Sequence, residues 1–141
     1  MNNADFAHYR RKLGKTQKEI AHLLGVSLKA INSYEQGWRK IPPHVERQIF
    51  FLLAKKFQPE KLQEPCWICK DCPPERKKIC PSWEFQIGHM CWFICGTKCE
   101  GCAQNNWAEK MKICRNCVFF QNFLEIINSA GPREALSPSI F

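Results

Sequence analysis

Long apolar runs are missing from this chain. The nearest approach, IFFLLA (Ile49–Ala54), is sized for a protein core and falls far short of a bilayer span. No apolar run of signal-peptide length follows the early basic residues of MNNADFAHYRRKLGKTQKEI either. Both absences make a soluble, cytoplasmic protein with no membrane partner the expectation. A glycine-rich nucleotide loop, a nucleophile–base dyad and a carboxylate pair are also lacking, so a non-enzyme with no catalytic residues is expected. Acidic residues are scarce: 13 Asp and Glu stand against 21 Lys and Arg, a formal charge of +8. The imbalance is uneven. Residues 1–64 hold 12 Lys and Arg against 6 Asp and Glu, whereas residues 65–141 hold 9 against 7. A basic first half suits a polyanionic partner.

What is abundant is cysteine. All ten lie in the second half, from Cys66 onward, so the 141 residues read as two small modules. In a reducing compartment, clustered thiols bind metal or do redox chemistry more often than they form lasting disulfides.

The first module is dominated by KTQKEIAHLLGVSLKAINSYEQG (Lys15–Gly37). Thr16 with Glu19 three residues on is a capping box, which starts a helix. Ile20, Leu23 and Leu24 give that helix an apolar stripe. Gly25 stands where a helix end needs positive φ, and Ser27 caps a second helix with Ile31 and Tyr34 turned inward. Ala21 fits a close crossing of the two. Two short helices joined by a tight turn predict a helix-turn-helix. Phe6, Tyr9 and Leu13 predict a helix upstream. PPHVERQIFFLLAKK predicts one downstream, with Val45, Ile49, Leu52 and Leu53 at helical spacing. Four or five helices around one core are expected over residues 1–57. Trp38 is expected to pack, and His8, His22 and His44 to be ordinary surface or half-buried side chains.

Gln17, Ala21, Gly25, Val26, Ser27, Ile31, Tyr34, Glu35 and Gly37 resemble the pattern of the lambda Cro/repressor-like (XRE) helix-turn-helix family, over roughly residues 5–57. The resemblance implies a repressor-like fold and double-stranded operator DNA as partner, bound as a homodimer. It puts Ser27, Leu28, Lys29, Asn32 and Ser33 against the DNA and Gln17 near a phosphate. The chemistry agrees: Lys29 can donate to guanine or phosphate, Asn32 and Ser33 can bond base edges, and Leu28 can touch a thymine methyl. Arg39 and Lys40, with Arg10, Arg11 and Lys12, are expected phosphate anchors.

A linker is expected at 58–65, within the polar, proline-bearing KKFQPEKLQEP. CWICKDCPPERKKIC follows, with Cys66, Cys69, Cys72 and Cys80 spaced C-x2-C-x2-C-x7-C and Pro81 next. Bacterial ferredoxins use a related C-x2-C-x2-C run to wrap an iron–sulfur cage. Zinc sites more often join two separate C-x2-C knuckles around one ion. The spacing therefore favours an iron–sulfur centre of the 4Fe-4S kind, with zinc as the alternative. Trp67, Trp83, Trp92 and Trp107 are expected to shield it from water. His89 is not expected to replace a thiolate.

Cys66-Trp67, Cys72, Cys80-Pro81, Cys91-Trp92, Gly96-Thr97-Lys98-Cys99, Lys110, Lys112, and Cys114 and Cys117 before Phe119-Phe120 resemble a bacterial cysteine-rich family, the two-CW domain. The resemblance spans roughly residues 65–121 and implies no settled activity. Cys69, Cys95 and Cys102 lie outside its pattern. Its remaining positions, Cys91, Cys99, Cys114 and Cys117, make up a second candidate ligand set should there be two centres.

Phe119, Phe120, Phe123, Leu124 and Ile127 predict a helix over 118–129. It would pack on the cysteine module or, through Phe120 and Ile126 on another face, contact a second copy. GPREALSPSIF reads as a frayed tail, 131–141. The expected whole is mainly α: a helix-turn-helix domain at 1–57 and a metal-stabilised module of short helices and loops at 66–130. Its expected function is regulation of transcription with sensing of redox state, oxygen or iron. A zinc-stabilised regulator and a redox or electron-transfer protein with an accessory DNA-binding domain are the alternatives.

Overall fold

A computed structural model describes residues 1–99 and 104–130. The expected tail at 131–141 and Cys102 lie outside the described residues. Among the described residues the chain is mainly helical, with nine α-helices and no strand. It divides into two compact units, built on Met1–Phe57 and Gln58–Ser129.

The first unit contains α1 (Asn3–Lys12), α2 (Gln17–Leu24), α3 (Leu28–Gln36) and α4 (Pro43–Phe57). Local chemistry sets most of their ends. Asn2 and Asp5 form a capping box on α1. Thr16 and Glu19 form the expected one on α2, at 3.1 Å and 3.0 Å. Gly25 ends α2 with φ +66°, and Val26 N–H turns back to Ala21 C=O at 3.0 Å, which fixes the tight turn into α3. The Pro42 carbonyl accepts from Val45 and Glu46 at the start of α4. The core is apolar: Phe6, Ile20, Ile31, Val45, Ile49, Phe50 and Leu53 are fully buried. Each contributes roughly 1.5–3 kcal/mol of burial. Phe6 meets Tyr34 edge-on at 5.7 Å and Tyr9 meets Phe50 at 5.8 Å, which seats α1 on α3 and α4. Leu23, expected in the α2 stripe, is half exposed; Ile20, Ala21 and Leu24 alone are buried there.

The second unit opens with a 3-10 turn at Pro59–Lys61. The expected linker thus carries local structure: Pro59 is buried, and Gln63 C=O bonds the His89 ring at 3.0 Å. Three short helices follow, α5 (Cys66–Cys69), α6 (Pro74–Ile79) and α7 (Pro81–Glu84). Pro74 and Pro81 start the last two, where a missing N–H does no harm. A second 3-10 turn, Cys91–Phe93, precedes α8 (Trp107–Arg115) and α9 (Val118–Ser129). Trp92 is the hub. It is fully buried, stacks on Phe123 at 5.3 Å and meets Phe120 at 6.3 Å. Phe120 is therefore a core residue of its own unit and does not offer the second face suggested for it.

Candidate functional site

In the first unit the candidate surface is α3. Ser27 is its N-cap, accepting from Ala30 N–H at 3.0 Å. Leu28, Lys29 and Gln36 are exposed and Asn32 is half-exposed. At helical spacing these four share one face. Gln36 was missed, although it stands one turn beyond Asn32 on the same ridge. Ser33 falls off that ridge. It is only 9% exposed, so its hydroxyl is not presented with Lys29 and Asn32.

Two further expectations change. Arg10 Nε and Gln17 Nε2 both donate to the Glu35 carboxylate at 2.5 Å, and Arg10 also donates to Lys15 C=O at 2.9 Å. Arg10 is thus an internal ion-pair partner and is not presented as a phosphate anchor. Gln17 keeps its place at the start of α2, with its amide N–H engaged. Arg11, Arg39 and Lys40 are exposed, and Lys12 is half-exposed. Trp38, expected to pack, is 74% exposed. Gly37 ends α3 with φ +79° and Trp38 N–H turns back to Ser33 C=O at 3.0 Å, which leaves the indole outside beside Arg39 and Lys40.

In the second unit, Cys66, Cys72, Cys80 and Cys99 line one cavity of about 50 Å³. Trp67 and Trp83 line it too and meet edge-on at 4.9 Å. So do four cationic side chains, Lys70, Arg76, Lys77 and Lys98, with Lys77 Nζ over the Trp83 ring at 4.3 Å. The set drawn from spacing is thus brought together except for Cys69, which is half-buried outside the cavity lining; Cys99 joins instead. The fold back is visible in one bond: Lys98 N–H donates to Cys80 Sγ at 3.4 Å. Cys66 Sγ lies 3.4 Å from Ser82 Oγ, and Cys99 Sγ lies 3.4 Å from Thr97 Oγ1. Of the second set, Cys91, Cys114 and Cys117 are buried.

The thiols are not equivalent. A hydrogen bond from Cys91 pulls Cys66 down to about 6, against the opposing effect of burial, with help from Ser82, Lys110 and Lys70. The same bond and burial push Cys91 well up. Burial pushes Cys114 up to about 12 and raises Cys72, which Arg76 partly offsets. Among the described residues, no group of three or more His, Cys, Asp or Glu side chains is arranged to hold a single metal ion. His89 is engaged with the Gln63 carbonyl. Trp92 and Trp107 are buried, Trp92 within the aromatic core and Trp107 on α8, and do not line the cavity.

Residues 7–47 match the helix-turn-helix family model. The matched stretch contains α2, the Gly25 turn and α3, and it supports a DNA-binding transcription regulator of XRE type in this part of the chain. It ends before the cysteine-rich unit. No curated protein and no solved structure was found to match the chain. No helix among the described residues is long and apolar enough to cross a membrane.

Proposed function

We propose that the chain is an operator-binding transcription regulator, acting as a homodimer, whose second unit holds an iron–sulfur centre and responds to redox state, oxygen or iron supply. The observation that carries the metal half is the lining of one cavity by Cys66, Cys72, Cys80 and Cys99 together with four cationic side chains. A cage ligated by four thiolates is anionic and suits that charge. The donor set also fits: N–H and O–H groups beside Cys80, Cys66 and Cys99 are the kind that tune a cluster through its sulfurs.

When bound, such a centre supplies a reversible one-electron couple and sensitivity to oxygen. The chain's own residues do the rest. Trp67 and Trp83 limit water at the cavity, and the four cations balance its charge. Lys29, Asn32 and Gln36 read base edges, Leu28 meets a thymine methyl, and Arg11, Arg39 and Lys40 hold phosphates. Loss of the thiolate tethers reorders α5–α7 and so shifts operator affinity.

The test begins with protein purified without oxygen and assayed for iron, acid-labile sulfide and zinc. Matched iron and sulfide with a brown absorption support the reading. Stoichiometric zinc in a colourless protein turns the cavity into a structural site. Duplexes selected from a random DNA pool then serve for affinity. Cys→Ser at Cys66, Cys72, Cys80 or Cys99 removes the colour and changes affinity, whereas Cys69→Ser leaves both. Equal affinity of loaded and metal-free protein sinks the sensing half alone.

A further inference from the structure

α8 carries a lysine where its buried stripe calls for a hydrophobe. Trp107, Lys110, Met111 and Cys114 recur at helical spacing and all four are buried. Lys110 has no exposed surface at all. Its Nζ donates to the Thr97 hydroxyl. Thr97 is itself bracketed by Gln104, whose Oε1 lies 3.2 Å from the hydroxyl and whose Nε2 donates to Thr97 C=O at 2.8 Å. No carboxylate among the described residues pairs with this ammonium.

A charge taken out of water needs a counter-charge, and one hydroxyl dipole is a poor substitute. The groups set around it are thiols. Cys114 stands one turn on along the same buried stripe of α8. Thr97, which accepts from the ammonium, joins it to Cys99, whose Sγ lies 3.4 Å from the same hydroxyl. Neutral thiols do not balance a buried cation; metal-held thiolates do.

We propose that Lys110 is the internal counter-cation of the thiolate-ligated centre, a positioning residue that sets the centre's affinity and reduction potential without ligating it. The inference rests on the metal reading above. A fixed positive charge favours the state with one more electron, so its removal makes reduction harder. Thr97 and Gln104 keep the ammonium from turning away.

The experiment compares wild type, Lys110→Met, Lys110→Arg and Thr97→Val, all purified without oxygen. Each is assayed for iron and sulfide and titrated with dithionite under absorption. In Lys110→Met the one-electron reduction equilibrium should fall at least tenfold, a midpoint about 59 mV more negative. Lys110→Arg should restore most of it, and Thr97→Val should move it part of the way in the same direction. A Met variant that loads equal iron and keeps the wild-type midpoint overturns the proposal and leaves the cluster reading standing. If the Met variant does not load, an unchanged midpoint in Thr97→Val overturns it equally. If wild type holds zinc and no iron, the cluster reading fails. The counter-charge is then read as zinc affinity in competition with a chelating dye: at least tenfold weaker in Lys110→Met supports it, and equal affinity overturns it. Wild type that takes up neither metal overturns both.

Discussion

Gly88 has room for no other residue. A Cβ there would come within 2.6 Å of both the Trp67 ring and Pro65 Cβ. Its carbonyl also accepts Cys66 N–H at 2.8 Å. The close backbone approach at Gly88 therefore helps fix where α5 starts and how Trp67 lies at the cavity. Gly88→Ala should destabilise the second unit by about 1–3 kcal/mol through overpacking, measured by denaturant unfolding, and should lower metal content at equal protein. An alanine variant of wild-type stability and loading would remove Gly88 from this role. Residues of this kind are hard to read from sequence. Thr16, Glu19, Gly25 and Ser27 were legible because their partners lie within a turn of them. Gly88 meets Trp67 across the fold, Lys110 looks like any lysine of a charged helix, and Cys99 joins Cys80 only through a chain reversal.

At the scale of elements, Glu35 ties three helices together. It stands on α3 and accepts from Arg10 on α1 and Gln17 at the start of α2. Its side chain is only 10% exposed and that of Arg10 16%. Loss of a charge-assisted bond at such a site costs about 1.5–3 kcal/mol. Glu35→Gln should therefore lower the stability of the first unit by that amount, read by denaturation. It should also weaken DNA binding, because α3 is presented through the same clasp. Normal stability would show that the two donors find water instead. The helices themselves were largely legible here. α2, α3 and α9 follow from caps, glycines and apolar spacing, as does the buried face of Phe119, Phe123 and Ile127. What spacing left open was which side chains pair between helices. Arg10 read as a surface cation because Glu35 is 25 positions away.

For the molecule as a whole, the two units differ in what holds them. Met1–Phe57 has a continuous apolar core, from Phe6 through Ile31 to Leu53. Gln58–Ser129 has the Trp92 cluster and, around its cavity, helices too short to be stable alone. On the proposed reading, ligation of the centre adds folding free energy there directly. Chelation or oxidative loss of the centre should expose 58–129 to limited proteolysis while α1–α4 stay protected. Unchanged protection after complete metal removal would count against a metal-held unit. The exposure of Trp38 has an optical consequence as well. Of the five tryptophans it is the only one before residue 58, and it stands out from the end of α3, while Trp92 has no exposed surface. Iodide in the solvent reaches the indole of Trp38 and not that of Trp92. Trp67 and Trp83 are half-buried and share in the quenchable fluorescence, so the part that a duplex laid on α3 protects is the part that belongs to Trp38, read with no dye attached.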